Sequence, residues 1–149
     1  MIKIICLGSI KEEFFKEAIK EYQKRLSKYT KLQIIELKDE KDSANPLVKE
    51  KDNILKHIKE KDNVVILDLI GKEFTSEEFS GFIEKELSLN SNITFIIGSS
   101  NGLDPEIKKL TSKSISFSKM TFPHQLFRVI LLEQIYRAFK IQNNEKYHK

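Results

Sequence analysis

Apolar residues run from Ile2 to Leu7 with only Lys3 interrupting them. A continuous run of that length predicts a strand buried on both faces. Gly8-Ser9 turns the chain, and over residues 11–29 the apolar positions Phe14, Phe15, Ala18, Ile19, Tyr22 and Leu26 fall at helical spacing. Residues 32–37 give a second strand and residues 39–44 a charged loop. Asn45-Pro46 then opens a helix reaching residue 60, with Leu47, Val48, Ile54, Leu55 and Ile58 on its apolar side. Residues 63–69 are nearly all apolar and predict a central third strand, which Gly71 ends. Thr75-Ser-Glu-Glu78 has the spacing of a capping box and starts a helix through residue 89. Ile93–Ile97 is a fourth strand, residues 98–102 (Gly-Ser-Ser-Asn-Gly) are a tight loop, Asp104-Pro105-Glu106 caps a short helix to residue 110, and residues 114–117 are a fifth strand.

Strand and helix alternate throughout, which predicts an α/β fold. Its sheet is mostly parallel, of five to six strands, with helices on both faces, in a single domain over residues 1–149. In such sheets ligands bind beyond the carboxyl ends of the strands. Three segments therefore matter: the one after Leu67, the loop at 98–102 and the polar loop at 118–121.

The last of these loops leads into the most unusual helix. Pro123 fits a first helical turn, where its missing N–H costs nothing, and it biases Phe122 toward an extended conformation. From residue 125 to 139 the apolar side chains surround nearly the whole helix, so it is buried on more than one side. One side packs on the chain's own sheet; the other predicts a second copy, a homodimer. The polar remainder falls into two narrow sets, His124 with Arg128 and, opposite them, Glu133, Arg137 and Lys140, with Glu133 four residues before Arg137 as its ion-pair partner.

Composition narrows the classes. At 40% hydrophobic and 32% charged the chain reads as a globular protein, and neither a secretory leader nor a membrane-spanning run is present, which predicts a cytoplasmic location. The single cysteine, Cys6, excludes an internal disulfide and a cysteine-cluster metal site, and its strand position predicts a small buried hydrophobe. Histidines 57, 124 and 148 have no metal-ligand spacing, so no metal is expected. The net charge of +4 is unevenly spread: residues 111–149 carry +5, leaving −1 for the first 110. That asymmetry is the footprint of a surface for phosphates or nucleic acid.

Conventional nucleotide and hydrolase motifs fail. Residues 98–102 hold two glycines at the wrong spacing for a dinucleotide fingerprint, Gly71-Lys72 lacks the upstream glycine of a P-loop, and no G-x-S-x-G elbow occurs. What remains is a backbone-rich pocket poor in strong acids and bases. It suits a ligand that brings its own reactivity, to which the protein adds position and electrostatics.

The run SFSKMTFPHQLFRVILLEQIYRAFKI, followed by YHK, resembles the C-terminal signature of the ribosomal large-subunit methyltransferase H family, of the SPOUT class with its trefoil knot. The likeness extends over essentially the whole chain in length and element order, and its specificity lies in residues 114–149. It implies a C-terminal trefoil knot and a homodimer. It also implies S-adenosylmethionine as cofactor, held by Leu67, Gly98, Phe117, Ser118, Lys119, Met120, Thr121 and Phe122. The implied reaction is methylation of N3 of a pseudouridine in 23S rRNA on assembled ribosomes. A uracil-type N3–H is weakly acidic and needs a base or a nearby cation. The residues implied are His148 as proton acceptor, Arg137 and Arg128 as cations, Tyr147 for stacking or hydrogen bonding, and Lys149 with Arg128 on the RNA. The tail that carries Tyr147, His148 and Lys149 is expected to fold over the pocket of the other subunit.

The chain departs from the family pattern at two places. It has Gly98-Ser99 where Gly-Gly is common, and a positive φ at Ser99 would be strained. Its tail reads Asn144-Glu-Lys-Tyr-His-Lys149 where Gly-Glu-Pro-Tyr-His-Lys is usual; Asn tolerates a left-handed turn, while Lys146 in place of proline loosens the tail and adds a phosphate contact. Two other readings stay open on sequence alone: a non-catalytic ribosome- or RNA-binding protein of the same fold, and an enzyme of the same class acting on tRNA.

Overall fold

In the computed structural model, which describes Met1–Lys149, five strands form one sheet. They are β1 (Ile2–Leu7), β2 (Leu32–Leu37), β3 (Val64–Glu73), β4 (Ile93–Ile97) and β5 (Ser114–Ser116), in the order β2-β1-β4-β3-β5, and every pairing is parallel. Four helices connect them, α1 (Glu13–Leu26), α2 (Pro46–Leu55), α3 (Ser76–Leu89) and α4 (Pro105–Lys108), and a fifth, α5 (His124–Gln142), follows the last strand. β1 and β4 are buried along their whole length, Lys3 and Thr94 included.

Successive side chains of a strand face opposite sides, so β1 feeds two cores. Ile2, Ile4 and Cys6 join Phe95, Phe79 and Ile83 under the inner face of α5, where Leu131, Leu132, Ile135 and Ala138 are buried. Ile5 and Leu7 join Ile66, Ile96, Ile54 and Ile107 on the other side, beneath α2 and α4. Helix α5 packs against both α1 and α3. Cys6 is fully buried, and that burial pushes its thiol up to about 11, so it behaves as a small hydrophobe.

Local signals fixed several boundaries. The Thr75 hydroxyl accepts the Glu78 N–H at 3.1 Å and the Glu78 carboxylate accepts the Thr75 N–H at 2.8 Å, the reciprocal capping box expected at the start of α3. Asp104 accepts the Glu106 N–H at 2.8 Å and starts α4.

Other boundaries differ from expectation. Gly71 does not end β3: the strand runs on to Glu73 and pairs with β5 twice, at Ile66↔Ser114 and Leu67↔Ile115 and again, past an irregularity, at Lys72↔Ile115 and Glu73↔Ser116. A Cβ on Gly71 would lie 2.4 Å from the Ile115 backbone, so the glycine is there for the close approach. Within the irregularity Leu69 and Ile70 project outward, Ile70 being 90% exposed. Helix α2 stops at Leu55, short of residue 60, and Pro123 is the residue that precedes α5 instead of lying within its first turn.

Candidate active site

The carboxyl ends of β3, β4 and β5 and the start of α5 enclose a cleft of about 530 Å³. Of the expected cofactor positions, Leu67, Gly98, Phe117, Ser118, Met120, Thr121 and Phe122 line it; Lys119 belongs to the same loop but not to the lining. Ser99, Leu103, His124 and Phe127 also line it, although none is among the expected cofactor positions. Ser99 lies in the 98–102 loop that the rule of ligands beyond strand ends marks, and Leu103 is the residue just after that loop. In the sequence His124 reads only as a polar partner of Arg128, and Phe127 only as one of the apolar residues of its helix.

The loop after β5 holds its own shape. Ser116 donates its hydroxyl to the Ser118 carbonyl at 3.0 Å, and the Ser118 hydroxyl accepts the Met120 N–H at 3.0 Å, so two serines replace the turn that glycine or proline often makes. Phe117 meets Phe79 and Phe127 edge-on, with ring centroids 5.5 and 5.3 Å apart, and Phe122 stacks on Phe127 at 6.3 Å. These rings give the cleft an aromatic wall.

The opposite wall is the 98–102 loop. A Cβ on Gly98 would sit 2.6 Å from the Gly102 carbonyl oxygen, so only glycine lets the loop fold back this closely. Ser99 has no positive φ, and its hydroxyl donates to Glu50 at 3.0 Å while accepting the Asn101 N–H at 3.3 Å. Glu50, 1% exposed, also accepts the Glu40 N–H at 3.1 Å. Burial and then the nearby Asp39 push its carboxyl above the usual carboxylate range, against the hydrogen bonds from Glu40 and Ser99. The serine that replaces the common glycine is thus anchored from behind the cleft. Burial, and after it Arg128, lower the affinity of His124 for a proton and favour its neutral form. Asp68, also in the lining, is engaged by Lys108 at 2.6 Å.

A second cluster lies along the far half of α5. Glu133 accepts from Arg137 at 2.5 Å and from the Tyr147 hydroxyl at 3.1 Å, and the Arg137 guanidinium lies 4.8 Å from the Tyr147 ring centroid. Arg137 Nη1 meets His148 Nδ1 at 3.2 Å, and His148 Nε2 meets Glu77 at 2.7 Å. Because an arginine only donates, Nδ1 is the acceptor and the ring proton is assigned to Nε2, facing Glu77. The structure therefore brings Arg137, Tyr147 and His148 together. Asn144, at φ 53°, is the one non-glycine residue with a positive φ, which is the left-handed turn its asparagine side chain tolerates. None of the three tail-cluster residues lines the cleft of the same chain.

Arg128 and Lys149 part company. Lys149 is exposed, whereas Arg128 is 3% exposed, donating to the Leu7 carbonyl at 2.8 Å, to the Gly8 carbonyl and, at 3.2 Å, to Glu36. It pins the start of α5 to the carboxyl ends of β1 and β2, an interior task in place of the surface one expected for it. On the outer side of α5, Leu126, Val129 and Ile130 are only half-buried, while Leu69 (52%) and Met120 (74%) stand exposed with Ile70.

A wholly parallel sheet whose strand ends frame an aromatic cleft, bordered by a serine-braced loop that runs into one long helix, is an α/β architecture with a ligand site at the carboxyl edge of its sheet. The chain belongs to the SPOUT methyltransferase family: the family model described as "Predicted SPOUT methyltransferase" matches residues 1–148. Among curated relatives it is 57% identical over 157 residues to the ribosomal RNA large subunit methyltransferase H of Clostridium botulinum (strain Langeland), covering 99% of each chain. It is 51% identical over 154 residues to the protein of the same name from Caldicellulosiruptor saccharolyticus, covering 100% of each. Of solved structures, a probable methylase family protein from Haemophilus influenzae Rd KW20 superposes with a TM-score of 0.54 at 14% identity, over 99% of this chain and 70% of that one, a likeness of fold.

Proposed function

We propose that this methyltransferase moves the methyl group of S-adenosylmethionine to N3 of a pseudouridine in 23S rRNA of assembled ribosomes. It does so as a homodimer, each tail completing the cleft of the other protomer. The observation that carries the reading is the full-length identity to ribosomal RNA large subunit methyltransferase H proteins, which falls on a chain with a cleft at the matching strand ends. A cytoplasmic location follows from that substrate.

The cleft fits the donor in its chemistry. Its walls are aliphatic and aromatic, its polar groups are mostly backbone and serine, and its one carboxylate, Asp68, is held by Lys108. Such a lining suits a nucleoside with a slender cationic side chain. Leu67, Gly98, Phe117, Ser118, Met120, Thr121 and Phe122 hold it, with Lys119 in the same loop. When bound, S-adenosylmethionine supplies a methyl group already activated by its sulfonium. The protein then supplies near-attack geometry, dryness and the disposal of one proton.

The tail cluster serves the acceptor base. Arg137 stays a cation, its pKa raised first by the hydrogen bond to Glu133, and stabilises the anion that forms as N3 loses its proton. Glu77 fixes the His148 tautomer by accepting Nε2–H, which leaves Nδ1 to receive that proton once Arg137 turns to the substrate. Tyr147 stacks on or bonds to the base; burial, then Tyr22 and Glu133, raise its phenol, so it acts as a neutral hydroxyl. Lys149 meets RNA phosphate.

The half-buried Leu126, Val129 and Ile130, with exposed Leu69, Ile70 and Met120, offer the apolar surface for the second protomer. The knotted reading rests on the family likeness; in this chain β5 lies at the sheet edge beyond β3, and α5 follows it to pack against α1 and α3. Isothermal titration with S-adenosylmethionine tests the cofactor: the expected result is saturable heat at one site per protomer, and folded protein that gives none overturns it.

A further inference from the structure

Away from the cleft, between the C-terminal parts of α1 and α5, lies a groove of about 450 Å³ that the proposed chemistry does not use. Glu21, Lys24 and Arg25 of α1, Lys28 in the turn just past its end and Lys140 of α5 line it, with Tyr29 and Tyr136 among its walls. Lys24 and Lys28 are exposed, lie one turn apart and have no ion-pair partner, whereas Arg25 is paired with Glu21 at 2.8 Å. Lys20 extends their row by another turn. The tyrosine rings lie 6.1 Å apart, and the Arg25 guanidinium is 5.8 Å from the Tyr136 centroid.

An ordinary solvated helix face accounts for free lysines, but not for what sits at the end of this groove. The Glu145 carboxylate is held there by the Tyr29 hydroxyl at 2.8 Å and by the Lys140 ammonium. Those two donors hold the carboxyl below its usual range, Lys140 foremost. The groove thus already seats an oxyanion, using a donor set that serves a phosphate oxygen equally well. Glu145 also follows Asn144, the left-handed turn from which the tail departs, and Tyr136 reaches the tail directly, its ring 5.0 Å from that of Tyr147.

We propose that this groove binds the phosphodiester backbone of the rRNA strand flanking the target nucleotide, with the Glu145 carboxylate holding the seat that a phosphate takes over. The inference rests on the rRNA reading above. Free Lys24 and Lys28 provide the attraction, and the tyrosines provide faces against which sugar or base can lie. Displacing Glu145 unfastens the tail from Tyr29 and Lys140, so RNA engagement and release of the tail toward the partner's cleft become one event.

The test is steady-state methyl transfer to purified ribosomes at several salt concentrations, with S-adenosylmethionine titrated separately by calorimetry. For Lys24→Glu with Lys28→Glu the expected result is a KM for ribosomes raised about tenfold or more. The slope of log KM against log salt falls by about two, while kcat at saturation and heat of donor binding stay those of the unaltered protein. The milder Lys24→Gln with Lys28→Gln pair removes the same two contacts, so it lowers the slope by about two as well with a smaller rise in KM, which keeps the test open if charge reversal disturbs folding. Glu145→Gln lowers KM, because the resident anion no longer competes. An unchanged KM and salt slope in the lysine variants overturns the groove while leaving the substrate reading intact. Unaltered protein that labels no ribosomal RNA overturns both.

Discussion

Gly71 sits where β3 and β5 touch, and a methyl group there would meet the Ile115 backbone at 2.4 Å. Gly71→Ala must push β5 aside, at an expected cost of about 1–3 kcal/mol in urea denaturation. Since β5 leads straight into Phe117 and the serine-braced loop, the same variant should also bind S-adenosylmethionine more weakly, which calorimetry reads. Glu86 offers a test by pH. Burial alone would raise its carboxyl, but Lys113 at 2.6 Å and Asn63 at 2.8 Å bring it below the ordinary value. A folded value below the unfolded one contributes stability above the unfolded value, about pH 4, that is lost as the pH falls through the folded one. Lys113→Met should therefore cost about 1–3 kcal/mol at neutral pH, and the deficit should shrink as the pH falls below about 4 and the carboxyl protonates. Denaturation midpoints on both sides of that range measure it; a deficit independent of pH contradicts the assignment.

Among the elements, α5 has two jobs on two sides. Leu132 is fully buried against the sheet, and Leu132→Ala should cost about 2–5 kcal/mol. Ile130 is half-buried on the outer side, so Ile130→Asp should leave the fold intact, with a far-ultraviolet spectrum unchanged, yet sediment as a monomer and transfer no methyl group. The alternation of strands and helices was legible because each element carries its own hydrophobic period. The ends that were misread depend on distant groups. Residues after Leu55 look helical, but the Lys3 ammonium takes the His57 carbonyl at 2.8 Å and pairs with Asp62, which itself accepts the Lys59 N–H at 3.1 Å; the chain turns there. Gly71 reads locally as a stop and is instead the bare spot that admits β5. Arg128 reads as a surface cation because helical spacing says nothing of the strand-end carbonyls of Leu7 and Gly8, more than a hundred residues away. The cleft was more legible than the rest of the site, since strand ends mark it and all but one residue of the family-like loop lie in its lining.

At the scale of the whole molecule, cleft and tail cluster divide α5 between them, the first at its start and the second along its far half. One chain carries both halves of the chemistry without joining them, which is why the account requires two copies. A protomer with Thr121→Trp blocks its own cleft, and one lacking residues 146–149 has no tail to lend. Each alone should be inactive, while equal mixing and reassembly should restore about a quarter of full activity, through the heterodimers that keep one complete site. No recovery on mixing, from subunits that demonstrably exchange, would argue for a site built within one chain. The basic balance of residues 111–149 belongs to the same picture, since the proposed function brings that segment's tail to RNA.

The most direct measurement is incubation of purified ribosomes that lack the modification with this protein and methyl-labelled S-adenosylmethionine, followed by mass analysis of the nucleosides of each RNA. The account predicts label in one nucleoside of 23S rRNA with the mass of methylated pseudouridine, blocked at N3. Label found only in tRNA, or ribosomes left unlabelled by protein that binds the donor, would contradict it.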